Sequence, residues 1–201
     1  MNGFDVSLYH IVNNLSGHVG IVDTIMIVLA QNAPIFYAVL FVAVWFILPR
    51  TDTKMRHGLV VAVLAGVLAL VVNVIFSHIW FRPRPFVVLP QGTFHQLIPH
   101  PNDASFPSDH AAGSFGFAFG VHRRGPDWVR RSFMTLAVLV AIARVYVGVH
   151  WPTDVLAGVA IGFFSSVVAW RLEKYVRWIT SIGLKIFRFG EMRSDPQRRV
   201  S

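Results

Sequence analysis

Two runs of the chain, 25–48 and 59–80, pass without a single Asp, Glu, Lys or Arg. Each is long enough to cross a bilayer, which takes about 20 mainly apolar residues. A soluble domain of 201 residues cannot cover two such helices on all sides, and 54% hydrophobic against 14% charged residues fits an integral membrane protein better. Three further apolar stretches, 108–122, 128–149 and 152–170, extend the pattern. The expected fold is therefore all-α, a polytopic membrane helix bundle of about five transmembrane spans plus interfacial helices. Gln31, Asn32 and Pro34 predict a kink or break in the first span. Residues 2–17 mix apolar and polar positions at helical spacing, as an interfacial helix or a packed leader does. Residues 1–20 carry no Lys or Arg, so no cleavable signal is expected and the first span stays in place. The segment 81–107, with five prolines before Phe106, reads as a structured surface loop. Residues 1–170 form the expected membrane-embedded domain, and 171–201 a basic amphipathic cytoplasmic tail.

Charge placement gives the expected orientation. Of 18 Lys and Arg, three lie in 49–57, four in 123–131 and eight after Trp170. Five spans put all these regions on one side, which the positive-inside rule makes cytoplasmic. The other three, Arg82, Arg84 and Arg144, fall at the opposite end, where guanidinium groups placed against the rule need an anion to hold. The net charge of +8 is thus spent on orientation, and no basic face for nucleic acid is expected. With no cysteine, thiol catalysis and thiolate metal sites are excluded.

That outer end gathers three polar stretches. Ala-Ser-Phe-Pro-Ser-Asp-His at 104–110 stands before a glycine-spaced helix, so its backbone N–H groups and dipole form an anion site. Pro107 and Ser108 are both suited to a helix start. Arg-Pro-Arg-Pro-Phe lies at 82–86, and Ala-Arg-Val-Tyr-Val-Gly-Val-His-Trp-Pro-Thr-Asp at 143–154. Together they bring Arg84, Ser108, Asp109, His110, Arg144, His150 and Asp154 to one place. This set suffices for phosphoryl transfer through a phosphohistidine. The spacing of four lets Asp154 reach back to one ring nitrogen of His150 and leave the other free to attack phosphorus, with His110 as the acid. Arg84, Arg144 and the N–H groups after Pro107 neutralise the equatorial oxygens.

In order and spacing, Arg84-Pro85, Pro107-Ser-Asp-His110 and the run from Arg144 to Asp154 resemble the three signature motifs of the type 2 phosphatidic acid phosphatase superfamily. Within it, the run 99–110 preceded by 83–86 is similar to the bacitracin-resistance type of bacterial undecaprenyl-diphosphate phosphatases. The resemblance implies a phosphatase of the cell membrane with no metal and no cofactor, His150 as nucleophile and His110 as general acid. It acts on a lipid diphosphate from the outer face and recycles the cell-wall lipid carrier. Arg84, Arg144, Ser108, Asp109 and Arg82 are the implied substrate-binding residues. Ser77 stands where the superfamily usually has a lysine, and Ala143 where it usually has a serine. Arg82 or His78 is expected to supply the missing charge.

Other readings remain at this level. The same motifs serve phosphatidylglycerophosphate and phosphatidic acid phosphatases, because they read the phosphate and not the tail. A non-enzymatic lipid-phosphate transporter needs a polar path inward, which the apolar stretches 111–121 and 155–169 do not offer. His95, His100 and Asp103 with Asp109 and His110 are a possible metal cluster, though without close ligand spacing. Asn73, Ser77, Asp23, Gln31 and Asn32 are expected to make helix–helix hydrogen bonds. Gly113, Gly116 and Gly120, like Gly158 and Gly162, share a helix face and predict close packing.

Overall fold

The computed structural model describes residues 3–187 and 189. Among these, eight α-helices follow one another without a strand: α1 Gly3–Asn13, α2 Gly20–Ile47, α3 Thr53–Ile79, the single turn α4 Pro85–Val88, α5 Asp109–His122, α6 Asp127–Tyr146, α7 Pro152–Arg171 and α8 Arg177–Ile186. A 3-10 turn, Glu173–Val176, precedes α8. The expected all-helical bundle is what forms. By length and composition α2, α3 and α7 can cross a membrane. They display Ile35, Val39, Ile75, Ile79 and Phe164 outward, as only a hydrocarbon solvent favours over so wide a surface. The polar end of the chain beyond residue 189 lies outside the described residues, so the basic tail is seen only as far as α8.

The shortest long helix, α5, is the centre. It packs most extensively on α3 and α7, with α6 beside it. Backbone-to-backbone approach explains why its sequence is small. A Cβ on Gly162 of α7 would lie 2.6 Å from the Gly116 nitrogen, and one on Gly116 would lie 2.9 Å from the Gly66 Cα. The expected glycine seam is therefore real, and α3 supplies a third partner through Gly66. Around it, Tyr37, Phe133, Phe115, Leu59 and Val121 fill the core.

At the end opposite the motif loops, Arg56 is wholly buried and donates to the carbonyls of Trp45 and Leu48 at the end of α2 and to that of Pro49 in the turn beyond it. This locks the short α2–α3 turn. On the same end Arg124 pairs with Glu173, His57 meets Thr180 of α8, and α8 leaves Trp178, Ile182 and Ile186 exposed in the manner of a surface-lying helix.

α2 breaks its helical geometry at Asn32 (φ −111°, ψ 17°), two residues before Pro34. Proline has no N–H to give the carbonyl four residues back, so the Ala30 oxygen is free, and Arg144 of α6 donates to it at 3.1 Å. The kink thus anchors one of the misplaced arginines. α1 is packed, with Asp5, Tyr9 and Asn13 buried. The Asn13 side-chain amide bonds the carbonyls of His95 and Tyr146, and its oxygen takes the His95 N–H, tying α1 to the long loop and to the end of α6. Of the polar residues expected between helices, Asp23 accepts from Tyr146 of α6 and Asn73 donates to the Pro107 carbonyl, whereas Ser77 and Asn32 bond carbonyls of their own helices.

Candidate active site

The three polar stretches meet at one end of the bundle. Ser108 is the N-cap of α5, in extended conformation with its side chain accepting from the Ala111 N–H, which places Asp109 and His110 in the first turn. Its own N–H donates to the Asp154 carbonyl at 3.1 Å, fixing the start of α5 against the start of α7. Asp154 stands at the third position of α7, where its carboxylate accepts from the Trp151 N–H at 2.9 Å as a capping box requires. The helix-start chemistry and the site chemistry use the same side chain.

His150 is 1% exposed. Its Nδ1 lies 2.9 Å from the Ser105 carbonyl, an acceptor only, so Nδ1 carries the proton. Nε2 therefore holds a lone pair, and Arg84 and Arg144 each bring a guanidinium nitrogen to it at 3.3 Å. Two cations meeting one neutral nitrogen leave an electropositive point that an anion would relieve. Arg144 Nε is buried and has no partner among the described residues.

Both arginines are held. Arg84 donates to Asp103, to the Val149 carbonyl at 2.8 Å and to the Ala104 carbonyl. Arg144 is fixed by Ala30 and touches His100 Nε2 at 3.2 Å. His110 is bonded through Nδ1 to its neighbour Asp109 at 2.9 Å, and its side chain is 21% exposed. A ring so placed can pass a proton to a bound ligand.

Two relationships differ from expectation. Asp154 Oδ2 is 3.7 Å from His150 Nδ1, an ion-pair distance, while that nitrogen donates its hydrogen bond to the Ser105 carbonyl. The carboxylate instead accepts from Trp151 N–H, from the Ser105 hydroxyl and, at 2.7 Å, from Arg82. Arg82, expected among the substrate-binding groups, gives its terminal nitrogens to Asp5, Thr153 and Asp154 and stacks near Trp151. His78 bonds its own helix at Val74. Reasoning from sequence missed Ser105 and Asp5, and treated His100 and Asp103 only as metal candidates. The available signal for Asp5 was that it is the one acidic residue of the leading helix α1. His95 turns to Ser16 and lies with α1, and among the described residues no group of three or more His, Asp or Glu is arranged for a metal ion.

Comparison with known proteins places the site in a family. The PAP2 superfamily model matches residues 58–178. The chain is 29% identical over 182 residues, 90% of each chain, to "Undecaprenyl-diphosphatase BcrC" of Bacillus subtilis. It is 32% identical, across 98% of this chain and 94% of the relative, to "Bacitracin transport permease protein BcrC" of Bacillus licheniformis. Among solved structures, Aquifex aeolicus LpxE superposes with a TM-score of 0.69 at 22% identity, covering 85% of this chain and 96% of that one.

The environment of His150 sets its charge. Burial first, with Arg144 and Arg84 adding to it and Asp154 opposing, brings its pKa down to about 4. The folded ring therefore stays neutral between the ordinary histidine range and about pH 4, while an unfolded chain protonates there, so this group costs stability as pH falls through that window. In ligand-free protein at pH 6, nitrogen-15 NMR should find His150 neutral with the proton on Nδ1. An imidazolium signal at that pH would contradict the geometry.

Proposed function

Because the chain belongs to the PAP2 superfamily and is a membrane phosphatase, we propose that it removes the terminal phosphate of undecaprenyl diphosphate, giving undecaprenyl phosphate and inorganic phosphate. The observation that carries the reading is the free Nε2 of His150 between two anchored guanidinium groups. A terminal phosphoryl group entering there takes the arginine N–H bonds now spent on the ring. Nε2 then attacks phosphorus as the bond to the bridging oxygen breaks, and His110 protonates the departing oxygen. In the second half a water gives its proton to His110, attacks the phosphohistidine and releases inorganic phosphate. Asp154, 3.7 Å from Nδ1, stabilises the positive charge that forms on the ring. Asp109 orients His110, and Ser108 with the first N–H groups of α5 faces the phosphoryl oxygens. Cation charge is thus supplied by arginine, and the reaction is expected to need no metal.

A lipid substrate is supported by the surroundings. An apolar groove of about 390 Å³ runs between α2, α3 and α5, lined by Pro34, Tyr37, Val67, Leu70 and Phe117, and ends at Asp109 and His110. It opens beside the kink in α2. α5 has 14 residues and rises about 21 Å, less than the roughly 30 Å of hydrocarbon, so the site lies below the headgroup plane if its far end meets the inner surface. A prenyl chain can then lie in the groove while its diphosphate reaches His150. The undecaprenyl-diphosphatase name of the Bacillus subtilis relative, over 90% of both chains, supports this headgroup and tail over a glycerolipid. The transport name of the second relative has no counterpart here in a polar path through α5 and α7.

Charge placement supports a multi-pass protein of the bacterial cell membrane with the site outside and α8 at the cytoplasmic surface, as lipid-carrier recycling and bacitracin resistance require. The native chain has no cysteine. In intact cells Thr93→Cys should therefore react with an impermeant maleimide and Thr51→Cys only after lysis; the reverse pattern would overturn the orientation. For the activity, purified protein offered undecaprenyl diphosphate and phosphatidate in parallel should release phosphate from the diphosphate at least about 10-fold faster, a preference of more than 1.4 kcal/mol. His150→Ala should abolish both. Preference for phosphatidate would favour the glycerolipid reading.

A further inference from the structure

Asp5 is a buried carboxylate that the reaction above leaves unused. It lies on α1, at the far end of the sequence from Asp154, with its side chain 1% exposed. Oδ1 accepts the Thr153 N–H at 3.1 Å, Oδ2 accepts the Thr153 hydroxyl at 2.7 Å, and Oδ2 also pairs with Arg82. Arg82 in turn donates to the Thr153 hydroxyl at 2.6 Å and to Asp154 Oδ1 at 2.7 Å. One guanidinium thus stands between two buried carboxylates, and one of them faces His150. A carboxylate this deep in a membrane protein has a large desolvation cost to offset, and capping one N–H of α7 does not require the ion pair.

We propose that Asp5 is a positioning residue for phosphoryl transfer, acting through Arg82 on Asp154. This rests on the reading of His150 as nucleophile. Arg82 holds the Asp154 carboxylate in its aim, but a guanidinium belonging to Asp154 alone would cancel the negative charge that His150 needs as its ring becomes cationic. Asp5 divides that guanidinium between two anions, so the group of three retains a net negative charge beside the ring. α1 is on this account part of the active-site end, although none of its residues touches the reacting phosphate.

The phosphate clamp of Arg84 and Arg144 is anchored elsewhere, to Asp103, Val149 and Ala30. The effect should therefore fall on turnover and spare binding. With undecaprenyl diphosphate as the probe and purified full-length protein, Asp5→Asn should lower kcat roughly 10- to 100-fold, the scale on which groups that orient a reacting residue act, with KM within about threefold. Because Asp5 acts through Arg82, Asp5→Asn combined with Arg82→Gln should be no slower than Arg82→Gln alone. If Asp5→Asn does not accumulate as folded protein, Thr153→Val, which removes the hydroxyl bonded to both Asp5 and Arg82 but leaves their ion pair, should lower kcat in the same direction by a smaller factor, about threefold to 10-fold, with KM again unchanged. An unchanged kcat, a loss confined to KM, or full additivity with Arg82→Gln would overturn the proposal. Wild-type protein that turns over while His150→Ala does not separates those outcomes from failure of the nucleophile assignment itself.

Discussion

The end of this bundle that carries the three motifs depends on one carboxylate. Asp154 accepts from the Trp151 backbone, the Ser105 hydroxyl and Arg82, and its own backbone carbonyl takes the N–H of Ser108. Those four bonds join the turn between α6 and α7, the loop before α5, the segment after α3 and the start of α5. Through Arg82 and Asp5 they reach α1 as well. Burying the group alone would be prohibitive in a hydrocarbon surrounding, so each bond is also what permits it to be there. The polar residues hold one another in place and need little help from loop rigidity.

The bilayer makes such a cluster possible and confines it. Apolar side chains of α2, α3 and α7 face lipid, so the helices cannot sort themselves by hydrophobicity as in water. They sort by fit: Gly66, Gly116 and Gly162 let three backbones approach, and the polar ends meet where those approaches place them. The kink at Asn32 belongs to the same logic. Pro34 frees the Ala30 carbonyl, Arg144 takes it, and a cation is fixed beside His150.

Much of this was legible in the sequence because its signals are local. Apolar runs gave the long helices, of which α2, α3 and α7 are long and apolar enough to cross a membrane, Ser108 gave the start of α5, and the spacing of His150 and Asp154 put both at one helix start. What was not legible depends on long-range contacts. Nothing near Asp154 says that Ser105, 49 residues earlier, takes the hydrogen bond from His150 while Arg82 takes the other carboxylate oxygen. Arg82 and Arg84 are equivalent as text, yet Arg84 turns toward the ring and Arg82 away from it, toward Asp5. The departure of Arg82 also removes it as a substitute for the lysine replaced by Ser77, whose hydroxyl serves its own helix. In the proposed reaction the charge at the phosphate is then left to Arg84, Arg144 and the N-terminus of α5.

The central claim is that the neutral, doubly approached Nε2 of His150 becomes the phosphate carrier. Rapid acid-free quenching of protein mixed with undecaprenyl diphosphate labelled in its terminal phosphate, followed by peptide mapping, measures it directly. The account predicts transient label on His150, stable to alkali and lost in acid as a phosphoramidate is, and absent from His150→Ala. Label on another residue, or undiminished label in His150→Ala, would contradict it.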